Sequence, residues 1–505
     1  MIRPGMRAVA ALGLAVCMTA VAAGGAWAQE PAAVCSADDS RPNEVAMAYL
    51  HLSQVSAQPG KEQQVKKLRD AVAQAEKNMD RGQNLPGRAY IMAKAYVLML
   101  SDSLVQPPVT RGMLGLTTTP TAQVDLVVAI DSLLDIVEKA HPDCATETEG
   151  WRQNNVWLDI LNKAIVALDA GQIDSAEVLA KRTQILHENN PYGYQVLATI
   201  ANRRGDQAVE RDMWIKTIEK AGTDTAMAQV KTQAQFFLGN LYATQAEADT
   251  VPANKTRLAR EAAKVYQEYL TTLKPDEDAS VIRTNLSLVL AIVGDSAGII
   301  SIYQPMLDDP TKYSLADLLA AGGMASRLNR SADAVKLYEG VLQKSPNHRE
   351  ALYMATASYA VESQWDKVIA TAHRLIEVDP GNPENYTLIG HGYNGIAAKE
   401  RDGTPKKKAY IDSLVAASNK AEAMPHKVSF NGWTATATKA TADGMVENPT
   451  KAAKTYTLSF SFLNAEGNSI GSKEVTVGPV DPSSAKVFQV EIDAPGVTAF
   501  KYTIK

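Results

Sequence analysis

Residues 315–347 read LADLLAAGGMASRLNRSADAVKLYEGVLQKSPN. Two helix-length segments with apolar residues at i, i+3 and i+4 lie in this stretch. Gly322 stands where the two helices must approach closely, and Ala334, Tyr338 and Val341 form the buried stripe of the second. Pro346 ends the unit. Outward from it the prolines act as a ruler: Pro275, Pro310, Pro346 and Pro380 follow one another at 35, 36 and 34 residues. Pro191 and Pro425 fit the same ladder once two insertions are allowed. These are polar, proline-containing stretches, Thr244–Thr256 and Ala397–Lys408, expected as loops between two helices. A fixed period of this length is the mark of a helical repeat array, in which each pair buries its apolar face only against its neighbours.

The next unit carries Tyr359, Trp365 and Ala372, and the one after it Tyr386, Gly390 and Tyr393. Earlier, Leu238-Gly239 and Tyr242 repeat the spacing, followed by Ala262, Tyr266 and Tyr269. At these positions the chain resembles the tetratricopeptide repeat (TPR) family, which sets small residues at the helix crossing, aromatics beside them and Pro at the end of the second helix. The resemblance is densest over 230–425 and thins over 150–225. Over 41–145 helix pairs are expected without the signature. It implies a mainly α fold, a TPR-like α-solenoid of about nine helix pairs.

The expected order is a signal peptide over 1–28, N-terminal helical pairs over 29–145, the solenoid over 146–425 and a β domain over 426–505. Arg3 and Arg7 precede the apolar run Ala8–Ala23, and Ala26-Trp27-Ala28 supplies small residues for cleavage after Ala28. The reading is an exported chain, periplasmic or secreted, of a bacterial envelope. Leu14-Ala15-Val16-Cys17 resembles a lipobox, with the β-branched Val16 where a small residue is needed. Removing the two arginines takes the net charge from −5 to −7, so no bulk electrostatic attraction to nucleic acid or anionic membrane exists. Export leaves Cys35 and Cys144 in an oxidising space, as a disulfide or as two thiols. Aromatics are only 6% of the chain, which suits small-residue helix packing.

The pattern changes after Pro425. Thr455–Phe462 alternates strictly, with Tyr456, Leu458, Phe460 and Phe462 on one face. Turn residues then separate Ile470–Val477, Lys486–Ile492 and Val497–Ile504, and Val428–Thr436 precedes them. About six strands in this length suggest a small sandwich. Gly444-Met445-Val446-Glu447-Asn448 and Phe460–Asn464 resemble the immunoglobulin-like FxLyD domain, with Phe462 and Asn464 where that family has Leu and Asp.

No HExxH, Walker A or GxSxG motif occurs, and the seven His are scattered. Ser483–Lys486 matches SxxK only inside a strand connection. Lys406-Lys407-Lys408 reads either as a contact for an acidic partner or as a solvated turn. The loop 101–120 reads either as a binding flap or as a cover tucked on the helices. No catalysis, cofactor or metal is expected. The TPR resemblance implies a concave groove lined by the first helix of each pair. Registering to the proline ladder places Phe236, Asn240, Arg283, Arg327, Tyr353 and His391 on it. Asn240 falls where a TPR subset uses Asn to hold a peptide carboxyl terminus, with Phe236 in place of the accompanying Lys. The function expected is an exported, non-enzymatic scaffold for protein or peptide partners, with no nucleic acid and no stable membrane insertion. The alternative is a glycan- or solute-binding protein, which clustered tryptophans would favour; Trp151 and Trp157 fall on one expected helix, and Trp214, Trp365 and Trp433 are isolated.

Overall fold

The computed structural model describes residues 35–38, 43–81, 83–101, 104–105, 108–153, 155–273 and 277–505. The leader 1–28, with Cys17, and the ruler residue Pro275 lie outside the described residues. Those described are mainly α, with nineteen α-helices and six strands, and they fall into two compact units divided between Asn189 and Asn190.

The first unit holds α1 (Asn43–Ser53), α2 (Lys61–Glu76), α3 (Leu85–Ser101), α4 (Leu126–Ala140), α5 (Ala145–Arg152), α6 (Asn155–Asp169) and α7 (Ile173–Leu186). α1/α2, α3/α4 and α6/α7 pack as hairpins, and α5 is a short connector. Arg152 ends α5 almost fully buried. It donates to Asp131 at 2.7 Å and Asp135 at 2.7 Å on α4, to Glu138 at 2.9 Å, and to the Leu186 carbonyl at 3.0 Å on α7. A buried guanidinium needs such a ring of acceptors. Burial, above all, raises the carboxyl of Asp131 within it.

Cys35 and Cys144 are joined by a disulfide. The described part of 101–120 is a cover rather than a flap. Leu114 and Leu116 are buried, Arg69 on α2 donates to the Met113 carbonyl at 2.7 Å, and Arg111 pairs with Glu76 at 2.7 Å.

The second unit begins with α8 (Pro191–Arg204), α9 (Gln207–Ala221), α10 (Ala228–Ala248), α11 (Pro252–Leu270), α12 (Ser280–Val293) and α13 (Ser296–Asp308). It continues with α14 (Leu315–Arg327), α15 (Ser331–Lys344), α16 (Arg349–Val361), α17 (Trp365–Val378), α18 (Pro383–Lys399) and α19 (Pro405–Glu422). Each even helix pairs with the odd helix after it, and each pair stacks on the next as a TPR-like solenoid. With the three hairpins of the first unit this makes nine pairs among the described residues. Starts are written locally: Asn190, Asp206, Asp295, Ser314, Asn382 and Thr404 each cap a helix through the side chain. At the crossings a glycine meets an aromatic ring. A Cβ at Gly322 would overlap the Tyr338 ring, and one at Gly239 the Tyr266 ring.

Neither insertion is the long loop expected of it. α10 runs to Ala248 and α11 starts at Pro252, while α18 runs to Lys399 and α19 starts at Pro405. The extra residues lengthen the helices instead. Ala, Gln and Glu in 244–248 are good helix formers, and Pro252 and Pro405 sit at helix starts, where proline is tolerated. Lys406, Lys407 and Lys408 are neutralised locally by Glu400, Asp402 and Asp412.

The strands are β1 (Lys427–Ala435), β2 (Ala440–Asn448), β3 (Lys454–Leu463), β4 (Ser469–Val480), β5 (Ser484–Ile492) and β6 (Ala499–Ile504). They form two three-stranded antiparallel sheets, ordered β1-β2-β5 and β4-β3-β6. Tyr456, Leu458, Phe460 and Phe462 all point into the core between them, as the alternation requires. The sandwich grips the turns before α16 and α18. Asp379, with no exposed surface, accepts from the Tyr502 hydroxyl of β6 at 2.6 Å and from Arg349 Nε at 2.8 Å. The Arg349 guanidinium lies 4.9 Å from the centre of the Phe430 ring of β1. The Gly381 amide donates to the Tyr502 oxygen at 3.0 Å, and the Gly381 carbonyl accepts from the Val428 amide at 2.8 Å. Ser345 and Thr498 share a 3.1 Å hydrogen bond.

His348 caps α16 beside this junction, 5% exposed. Burial, then the charge of Arg349, lowers its pKa to about 4. The unfolded chain therefore binds a proton that the folded chain refuses between about pH 6.5 and pH 4. Stability should fall as pH drops through that window, by roughly 3 kcal/mol in all for this group. His348→Gln should flatten that part of the pH–stability curve in urea titrations. An unchanged slope would exclude His348 as its source.

Candidate functional site

The even helices α8 to α18 lie side by side and are cross-linked by side chains. Gln195 donates to Gln233 at 2.7 Å, Asn285 to Asn240 at 3.1 Å and Arg327 to Ser287 at 2.9 Å, while Arg283 pairs with Asp317. Residue numbers rise together across the α12–α14 bonds, so these neighbours run parallel.

The six residues expected on this layer all stand on its helices, in different states. Phe236 is half-buried, edge-on to Phe237 with ring centres 5.4 Å apart. Asn240 accepts at one oxygen from the Tyr266 hydroxyl at 2.7 Å and from Asn285. With that oxygen engaged and Phe236 in place of a cation, these two side chains offer a carboxylate no charge. Arg283 is buried, held by Asp317 and lying 5.6 Å from the Tyr313 ring centre. It ties α12 to α14 and is not displayed. Arg327 and His391 are exposed. Tyr353 is half-buried, and burial followed by the neighbouring Glu384 carboxylate raises its phenol.

What the motif register missed is the layer's shortage of charge. α12, α14 and α16 carry five charged side chains in total: Arg283, Asp317, Arg327, Arg349 and Glu350. Arg283 is spent on Asp317 and Arg349 on Asp379. Arg327 and Glu350 are left, both exposed and in no ion pair among the described residues, Arg327 donating to Ser287. By contrast, α15 and α17 carry four charged side chains each and α11 six, setting His aside, while α13 carries only Asp308. Yet the charge-poor layer is not sealed. Val281 is 53% exposed and Val361 70%. Ala291 is exposed, and Leu288, Ala320, Gly323 and Ala357 are half-buried. The signal was readable: three first helices almost without Lys, Glu or Asp in a chain that is 21% charged.

Chemistry is sparse elsewhere. An open cleft of about 630 Å³ between α9, α10 and α11 mixes Arg211, Arg257, Asp249 and Glu261. Among the described residues no group of three His, Cys, Asp or Glu is placed to hold a metal, and no helix is long and apolar enough to cross a membrane. The two tryptophans expected on one helix stand on two. Trp151 on α5 lies 4.9 Å from the Tyr90 ring with Lys94 over both, while Trp157 on α6 is buried against His187.

No protein-family model matches the chain, and no curated protein matches it. Among solved structures it is similar to the C-terminal part of a TPR repeat-containing protein from Cytophaga hutchinsonii, at 15% identity over 52% of this chain and 98% of that one, with a TM-score of 0.35. It is also similar to pilF of Pseudomonas aeruginosa, at 14% identity over 48% and 97%, with a TM-score of 0.29. A third is the TPR2AB domain of yeast Sti1 in its pHSP90 complex, at 16% identity over 53% and 92%, with a TM-score of 0.24.

Proposed function

We propose that the chain is an exported, non-enzymatic scaffold that binds a protein partner on the surface of the even helices α12 to α16. One observation carries the reading: this surface exposes valine and alanine while two unpaired charges remain on three helices. Exposed apolar area that the fold does not need is the common mark of an interaction surface. The expected groove, the export and the partner belong to this proposal, as does the concave lining implied by the TPR resemblance. The glycan-binding alternative has little behind it, because Trp151 and Trp157 stand on different helices, one against Tyr90 and the other against His187.

Photo-crosslinking in the source cells tests it. A benzoylphenylalanine at Val361 should capture a discrete partner, and one at the exposed Lys336 of α15 should not. Equal capture at both positions, or none at Val361, would sink the proposal.

A further inference from the structure

We infer that the cleft between α9, α10 and α11 binds a zwitterionic solute of the α-amino acid class, which sets its carboxylate against Arg257 and Arg211 and its ammonium group against Glu261. The inference is independent of the surface on α12 to α16. It starts from helix length. α10 and α11 have 21 and 19 residues, whereas α8, α9, α12 and α13 have 13 to 15. The insertion that lengthens the pair falls at the turn between α10 and α11. Gln207 is the first residue of α9, and its side-chain oxygen accepts from Gln245 of α10 at 3.2 Å. From that level α10 and α11 run on past the start of α9. The step leaves an open cleft of about 630 Å³, a volume in the range of small-molecule sites.

Each helix turns two polar side chains to this cleft, about one turn apart: Gln207 and Arg211 from α9, Tyr242 and Gln245 from α10, Arg257 and Glu261 from α11. Tyr242 is 9% exposed, and its hydroxyl makes no hydrogen bond among the described residues. Buried phenols usually find a partner. Others in this unit do: Tyr266 donates to Asn240, Tyr359 to Glu339 and Tyr502 to Asp379. Burial, then the charge of Glu261, raises the Tyr242 phenol, while Arg211 and Arg257 act to lower it. Its oxygen therefore lies among the charges of the cleft.

Those charges are unequally spent. Arg211 is paired with Asp212, its neighbour in sequence, at 2.8 Å, and Asp249 gives an oxygen to the Val251 amide at 2.7 Å. Arg257 and Glu261 stand at a spacing that suits a salt bridge, yet neither is in an ion pair among the described residues. One cation and one anion thus remain, and they decide the ligand. A plain anion would suit Arg257 and meet a like charge at Glu261, a plain cation would do the reverse, and a neutral sugar would answer neither. An α-amino acid carries both charges on one carbon, within the span of a helix turn. Each residue added to an extended peptide moves its termini apart by about 3.3–3.6 Å. The Tyr242 hydroxyl then donates to the bound carboxylate, and the Gln245 side-chain oxygen accepts from the ammonium group.

The test is a thermal-shift screen of the full chain against each free amino acid at millimolar concentration, since a ligand that binds only the folded chain raises its Tm. Calorimetry follows with the strongest hit, its N-acetyl derivative and its carboxamide. At least one amino acid should bind, and both blocked forms should bind at least about tenfold more weakly. Arg257→Gln and Glu261→Gln should each weaken binding about tenfold, and Tyr242→Phe about threefold. Arg257 is exposed and Glu261 half-buried, so the first two variants should keep the parent's Tm without ligand. Lys264→Gln, exposed on the same helix, should leave binding unchanged. No response to any amino acid would overturn the inference. So would equal binding of the N-acetyl form, which makes the cleft a plain anion site, or indifference to both Arg257→Gln and Glu261→Gln. Crosslinking at Val361 tests a different surface, and its result stands whichever of these is found.

Discussion

Asp379→Ala will destabilise the second unit by about 2–4 kcal/mol, because it leaves a half-buried arginine without its counter-ion and the buried Tyr502 hydroxyl without its acceptor. The carboxylate has no exposed surface and gathers Tyr502 at 2.6 Å, Arg349 at 2.8 Å and Asn382 at 3.4 Å. Its loss strands three donors at the contact between the sandwich and the helices. Tyr502→Phe removes only a hydroxyl and should cost about 1–3 kcal/mol, including the Gly381 amide left unpaired. The double variant should lose less than the sum, since both changes break one bond. Urea titration followed by circular dichroism gives the energies. Hydrogen exchange over 427–504 should show the sandwich opening before the helices. An Asp379→Ala chain within 1 kcal/mol of the parent would show that the junction contributes little.

Cys144→Ser will have an effect of similar size in the other unit. The bond joins residues 109 apart, and on the chain-entropy argument closing such a loop contributes about 4–5 kcal/mol. For a unit of this size that is a fall in Tm of roughly 8–20 °C. The parent in reductant should melt like the variant, and the variant should be indifferent to reductant. Among the described residues two hydrogen bonds remain after reduction, the Ser36 amide to Asp143 at 2.7 Å and the Ser36 hydroxyl to His141 at 2.6 Å, beside the buried Ala37. Both are exposed, so they recover little of the loss. A melting point that reductant does not move would show that the bond is not a structural staple.

Much of the fold was legible because its rules are local. The proline ladder, Gly322 facing Tyr338, and the alternation from Tyr456 to Phe462 each encode a contact within a few dozen residues. The insertions misled because proline was read as a loop residue. Pro252 and Pro405 instead open helices, and only the length of the flanking Ala- and Glu-rich segments says so. Site residues were legible as positions and not as states. Arg283 looked displayed until Asp317, in the next pair, was seen to hold it. The junction was not legible at all. Nothing in the sequence around Asp379 announces Tyr502, 123 residues away. The scarcity of charge in α14 and α16 against α15 and α17 is legible as a plain count of Lys, Arg, Asp and Glu, while α12 and α13 carry one each.

That distance has a consequence for the growing chain. Helix pairs close as soon as their second helix is made, since their contacts are near in sequence. Asp379 is different, for its hydroxyl partner is translated 123 residues later. At about 5–20 residues per second the wait is roughly 6–25 s. During it the turn between α17 and α18 carries a carboxylate with Arg349 already beside it and Tyr502 still to come. The last pairs of the solenoid therefore reach their final packing only when the closing strand of the sandwich arrives, and a ribosome that stalls within β5 releases a chain whose helices are complete and whose end is unlatched.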